Sequence, residues 1–182
     1  MTCHYLSLSY WFLAIGFWTF GPWIGSAPDR RDIELSCKEI MAQITCDEMG
    51  RIAREDVPSV GQYGVIFEEI GDGEVRARLP FDENSLRPGG TVSGPTMMAL
   101  ADIVMWACVL SRIGVVKMAV TTNLNANFLL RPKPGDLIAE GRLLKCGKRL
   151  AYGEVTIVSA NDPDDPVCHV TTTYSIPPPE FR

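Results

Sequence analysis

Histidine is almost missing from this sequence: His4 near the start and His169 near the end are the only two. A reaction that needs imidazole as acid or base has little to draw on, so histidine catalysis is not expected. The six cysteines (Cys3, Cys37, Cys46, Cys108, Cys146, Cys168) include no Cys-x-x-Cys pair. With so few histidines, no metal-ligand spacing arises from them. They read as free thiols of a reducing, cytoplasmic compartment, and neither a metal nor a cofactor is expected. Basic charge is scarce too, with 17 Lys and Arg against 22 Asp and Glu and a formal charge of −5. No surface can then neutralise a run of phosphates, which removes nucleic acid as an expected partner and leaves room for a local anion site only.

Residues 1–28 contain no Asp, Glu, Lys or Arg, and Tyr5 to Ile24 is crowded with Trp11, Phe12, Leu13, Ile15, Phe17, Trp18, Phe20 and Trp23. That stretch is long enough to raise the question of a membrane. A secretory signal would want a cationic beginning, which is missing, although Gly25-Ser26-Ala27 is similar to a cleavage site. A membrane anchor would have to accommodate Gly16, Gly21 and Pro22, and Arg30 and Arg31 beyond it would keep the remainder cytoplasmic. In the third reading the start is assigned too early and Met41 opens the protein. We expect residues 1–40 to be a leader outside the fold and residues 41–182 to form one domain, with a membrane as partner only if the leader is a genuine anchor. At 182 residues, 46% of them hydrophobic, the chain can bury one sizeable core.

After a short amphipathic helix over Ile44 to Asp56, ended by Val57-Pro58, the pattern turns to strands. Gly64 to Ile70 and Glu74 to Leu79 flank Gly71-Asp72-Gly73 and read as a hairpin. A loop from Asn84 to Gly90 leads to the longest helical pattern, about Gly94 to Ile113. Four further strands are expected over Met118 to Leu130, Leu137 to Cys146, Ala151 to Ser159 and Val167 to Ser175. Their turns are Pro132 to Gly135, Gly147-Lys148-Arg149, and Asn161 to Pro166. A helix apolar on nearly every side, with strands before and after it, is best buried by an antiparallel sheet wrapped around it, an α+β arrangement. Such a sheet exposes an edge that dimerisation could cover.

Asp102 is the only charged residue between Gly94 and Ser111. Aspartate is a poor residue for a helix interior, and burying its charge without partners costs several kcal/mol. It must face a polar cavity, bond to neighbours, or be tuned for catalysis. Ser93 is a good N-cap and Pro95 fits the first turn. Beyond the cap, Gly94 lets a ligand approach an unpaired N–H at the positive end of the helix dipole. Eight residues separate Gly94 from Asp102, about 12 Å along a helix axis, too far to serve one carbonyl within one chain. If both act, antiparallel helices across a dimer must bring Gly94 of one copy near Asp102 of the other.

Gly90-Thr91-Val92-Ser93-Gly94-Pro95, followed by Leu100-Ala101-Asp102, resembles the helix signature of hotdog-fold thioesterases related to phenylacetyl-CoA thioesterase. That family pattern is G-x-[VL]-H-G-G, six residues, then L-A-D or a near equivalent. Thr121 to Leu129 and Pro134 to Gly141 resemble the strands that follow, and the similarity runs from about Met41 to Pro177. The resemblance implies a hotdog fold, an antiparallel sheet around one central helix, in a homodimer or homotetramer that hydrolyses acyl-CoA. It implies that the Gly94 N–H polarises the thioester carbonyl while Asp102 of the partner subunit acts as general base or nucleophile. Thr121 stands where Ser or Thr helps hold the attacking water, though β propensity alone explains a Thr there. Gly147-Lys148-Arg149 resembles a turn that meets CoA phosphates, or is a solvated hairpin tip.

The sequence departs from the pattern at Ser93, which replaces a His, at Pro95, which replaces a Gly, and at Arg87, which stands where an Asn contacts the thioester. Arg87 could bind a substrate carboxylate or CoA phosphate, pair with Asp102 across the dimer, or remain in water. The expected site is thus Asp102, Gly94 and Thr121, with Arg87, Ser93, Lys148 and Arg149 toward the substrate. A non-catalytic acyl-CoA binding module and an acyl-thioester hydratase are the alternatives. Met97, Met98, Met105 and Trp106 are candidates for closing an acyl tunnel, or are core.

Overall fold

The computed structural model describes residues 42–181, so the apolar leader lies outside the described residues. Helix α1 (Cys46–Glu55) starts at Thr45, whose Oγ1 accepts the Glu48 N–H at 3.2 Å, and it buries Met49, Ile52 and Ala53. The helix ends before Val57-Pro58 as expected, with Asp56 as its C-cap, but Pro58 does more than stop it. It opens a further single turn, α2 (Pro58–Gly61), because proline suits a first helical position. Strands β1 (Ile66–Ile70) and β2 (Glu74–Leu79) form the expected hairpin, turning at Gly73 with φ +79°. The loop before the long helix holds more order than expected. A small ribbon pairs β3 (Leu86–Arg87) with β4 (Thr91–Val92), closed by Gly89 and Gly90 at φ +101° and +69°.

The long helix α3 (Gly94–Ile113) runs between an N-cap at Ser93 and a C-cap at Gly114, and it buries Leu100, Ala101, Val104, Met105, Ala107, Cys108 and Val109 among others. Strands β5 (Val120–Phe128), β6 (Leu137–Cys146), β7 (Leu150–Ser159) and β8 (Asp162–Ser175) follow. The six long strands form one antiparallel sheet in the order β1-β2-β6-β7-β8-β5. It wraps around α3, as a hotdog fold requires. This helix is long and apolar enough to cross a membrane, but 72% of the window that qualifies it is buried within the protein.

Three expected strands need their ends corrected, the first being β1, which begins at Ile66 rather than Gly64. Strand β5 is shorter at both ends than the 118–130 stretch, and β8 begins at Asp162, inside the stretch read as a loop. The β7–β8 turn is tight, with Ser159 opposite Asp162. Residues 163–165 are then extra on the β8 side, because Val158 next pairs with Pro166. Pro163 and Pro166 cannot donate to a ladder, which confines them to a bulged strand end.

Glycine fixes how closely helix and sheet meet. A Cβ on Gly141 would lie 2.7 Å from Val104 Cγ1, and one on Gly153 2.5 Å from Met105 Cε. Both distances are too short for any side chain, so these two positions seat α3 directly on β6 and β7.

Candidate active site

Asp102 sits in the third turn of α3 and is partly buried. The Thr121 hydroxyl donates to its Oδ1 at 2.5 Å, and the Tyr174 phenol approaches the same oxygen at 2.7 Å and the Asp102 carbonyl oxygen at 2.9 Å. The sheet register explains the convergence. Thr121 on β5 and Tyr174 on β8 are direct cross-strand partners, and β5 shifts register immediately after Thr121. A bulge there aims the Thr121 side chain at the helix. Tyr174 is only 2% exposed and follows Val170 and Thr172 on the inner face of β8. Burial, and next the charge of Asp102, push its phenol well above the usual tyrosine range, so it remains a proton donor.

These groups line an open cleft of about 230 Å³ together with Val57, Val60, Trp106, Lys117 and Val120. The Lys117 ammonium is engaged by Asp56 at 2.7 Å. Oδ2 of Asp102 has no partner among the described residues, and no buried side-chain oxygen is left unsatisfied. Oδ2 is therefore open to the cleft, a carboxylate oxygen free to take a proton or attack a carbon.

Gly94 lies at the other end of the helix, in a separate cleft of about 860 Å³ lined by Arg87, Ser93, Met97, Phe128, Leu130 and Arg131 among others. The Ser93 hydroxyl faces Thr96, taking its N–H at 3.4 Å and meeting its Oγ1 at 2.8 Å. Ser93 thus acts as a cap here. The Ser93 N–H goes to Ser85 O and the Met97 N–H to Ser93 O. Pro95 has no N–H to offer. That leaves the Gly94 N–H as an orphan donor at the helix start. Its missing side chain also has a packing reason, since a Cβ would meet Phe128 Cζ at 3.1 Å.

The structure thus brings Asp102 and Thr121 together and holds Gly94, Ser93 and Arg87 apart from them. Arg87 is exposed on β3 and belongs to the Gly94 cleft. The described ion pairs use other cations, so neither Arg87 nor Arg131 is neutralised by them. Lys148 and Arg149 are exposed at the β6–β7 tip and line neither cleft. The register places that tip at the Thr121 end of the sheet: Leu150 lies opposite Ser175, and Ser175 opposite Val120. Met97, Met105 and Trp106 are buried, whereas Met98 is 38% exposed. Tyr174 was not singled out from the sequence. The signal was its inner-face place in an alternating strand, where a buried phenol requires a partner.

His169 is held by Glu154 at 3.2 Å and alternates with the buried Cys168 and Val170, which puts it on the outer face, away from Asp102. The cysteines 46, 108, 146 and 168 are free. Burial pushes the Cys108 thiol up strongly and Cys168 up to about 11, so neither supplies a thiolate at neutral pH.

A model of the thioesterase superfamily matches residues 89–165, a stretch that includes Gly94, Asp102 and Thr121. A crystal structure from Silicibacter, provisionally named a thioesterase, is 40% identical with a TM-score of 0.68, covering 75% of this chain and 94% of that one. The chain belongs to the thioesterase superfamily. A Halobacterium salinarum protein, provisionally named an esterase, is 33% identical over 107 residues, 56% of this chain and 70% of the relative. A structure from Streptococcus pneumoniae, described as a hypothetical thioesterase with coenzyme A, shares the fold at 23% identity and a TM-score of 0.56, covering 63% of this chain and 86% of that one. Membership makes the chain a hydrolase of acyl thioesters.

Proposed function

We propose that this chain hydrolyses acyl-CoA thioesters at a site assembled from two copies of itself. The observation that carries the proposal is Asp102, a lone carboxylate in a buried helix, held through Oδ1 and open at Oδ2. Oδ2 takes a proton from water as the water oxygen bonds to the thioester carbon, or attacks that carbon itself. The C–S bond then breaks and the sulfur leaves as CoA thiolate: in the first route it takes the proton held on Oδ2, and in the second it takes a proton from water, whose hydroxide then cleaves the acyl-aspartyl anhydride to the free acid and the Asp102 carboxylate. The Gly94 N–H of the second copy supports the negative charge that develops on the carbonyl oxygen.

The edge strand supports the two-copy reading. β5 pairs with β8 on one side only, and Val120, Phe128, Leu129 and Leu130 are exposed along and just past it. Its beginning lines the Asp102 cleft and its end lines the Gly94 cleft. If β5 pairs antiparallel with β5 of a second copy, the beginning of each strand meets the end of the other. The two clefts then merge, and two equivalent sites form. Arg87 and Arg131 would face the bound thioester from the Gly94 side, and Lys148 and Arg149 would flank it from the other, cations suited to CoA phosphates. The free thiols of Cys46, Cys108, Cys146 and Cys168 favour a cytoplasmic location, with residues 41–182 as the working domain.

The test is thiol release from acetyl-, palmitoyl- and phenylacetyl-CoA by the wild type and by Asp102→Asn, with molecular mass in solution measured for both. Turnover lost in a variant that remains dimeric is the expected result. A wild-type rate in Asp102→Asn would remove Asp102 from the chemistry.

A further inference from the structure

We infer that Tyr174 is a positioning residue for Asp102, one that ties up Oδ1 and leaves Oδ2 as the single reactive oxygen. The inference rests on the reading of Asp102 proposed above and deepens it. Tyr174 bridges two parts of the same residue, reaching both the carboxylate and the backbone carbonyl of Asp102. A phenol has one hydrogen, so the two contacts share it. With Thr121 also donating to Oδ1, that oxygen is engaged by two hydroxyls, its basicity is reduced, and the χ rotation of the carboxylate is blocked. Oδ2 is left without a partner among the described residues and faces the cleft.

Tyr174 suits this role better than a residue that could ionise or rotate away. It is enclosed at 2% exposure, it is fixed by strand pairing on both sides, to Thr121 on β5 and Ala151 on β7, and it stays protonated. The other charged side chain lining the cleft is Lys117, already engaged by Asp56. Cys108, the remaining titratable group close to the phenol, is neutral. Nothing else among the described residues supplies a second proton to Oδ1. Removing the phenol hydroxyl leaves the carboxylate held by Thr121 alone and free to turn.

The experiment compares wild type, Tyr174→Phe, Asp102→Asn and the double variant as full chains on the three acyl-CoA substrates named above. In Tyr174→Phe, kcat should fall ~10- to 100-fold with KM little changed, the range for one hydrogen bond to a charged group. Adding Tyr174→Phe to Asp102→Asn should cost nothing further, because the phenol acts through the carboxylate. If Tyr174→Phe does not fold, 3-fluorotyrosine at 174 keeps the ring and alters only the donor, and should change kcat with KM and Tm little changed. An unchanged kcat, a further loss in the double variant, or a loss of rate that tracks only a loss of Tm would overturn the role of Tyr174. A fully active Asp102→Asn would instead overturn the site itself, whatever Tyr174 does.

Discussion

The two ends of α3, the two halves of the proposed site, are organised by different means. Around Asp102 the work is done by side chains: three oxygens from a helix and two strands converge within 2.5 to 2.7 Å. Around Gly94 it is done by backbone, an N–H left over because Gly94 opens the helix, while the serine before it caps Thr96 instead. The first end depends on which residue is present and the second on which residue is small enough. One chain holds both halves, about 12 Å apart along the helix, so neither half can be judged by its own contents.

Asp102→Asn tests the side-chain end most severely. It keeps the size and removes the proposed base, and should lower kcat by ~10³-fold or more in a thiol-release assay. At the other end, Gly94→Ala retains the N–H but pushes a methyl toward the Phe128 ring, 3.1 Å away. A displaced donor should cost ~10²-fold in kcat, and adding Phe128→Ala should recover part of it, whereas no second substitution should rescue Asp102→Asn. Arg87→Ala should raise KM ~10-fold with a small change in kcat, the mark of a group that binds ground and transition states alike. Smallest is Ser93→Ala, expected to lose about 1 kcal/mol of stability in urea denaturation, the cost of uncapping a helix.

Much of this was legible in the sequence, for physical reasons. A 20-residue apolar helix bounded by a cap and a glycine has one stable solution among strands, and a carboxylate inside it cannot be neutral to the fold. The alternation in β2, β6 and β7 gave their boundaries to within a residue. Strand β8 was misjudged at its start because Asp-Pro-Asp-Asp-Pro has the composition of a loop, and only pairing with β7 shows that it is bulged strand. The β3–β4 ribbon escaped notice because two-residue strands have no period to detect. Tyr174 escaped for a different reason: tyrosine on the inner face of a strand is ordinary, and its role comes from standing opposite Thr121 in a register that no local pattern encodes. Arg87 was noticed as a departure, and the structure assigns it to the Gly94 cleft rather than to Asp102 of its own chain.

Strand β5 borders both clefts and forms the open margin of the sheet. If that margin is where copies meet, the strand that holds two molecules together also walls the catalytic space, and loss of association is loss of the enzyme. Specific activity would then fall on dilution below the dissociation constant of the pair. An equal mixture of subunits defective at Gly94 with subunits defective at Asp102 would recover function, because each mixed pair contains one site with both faults and one with neither.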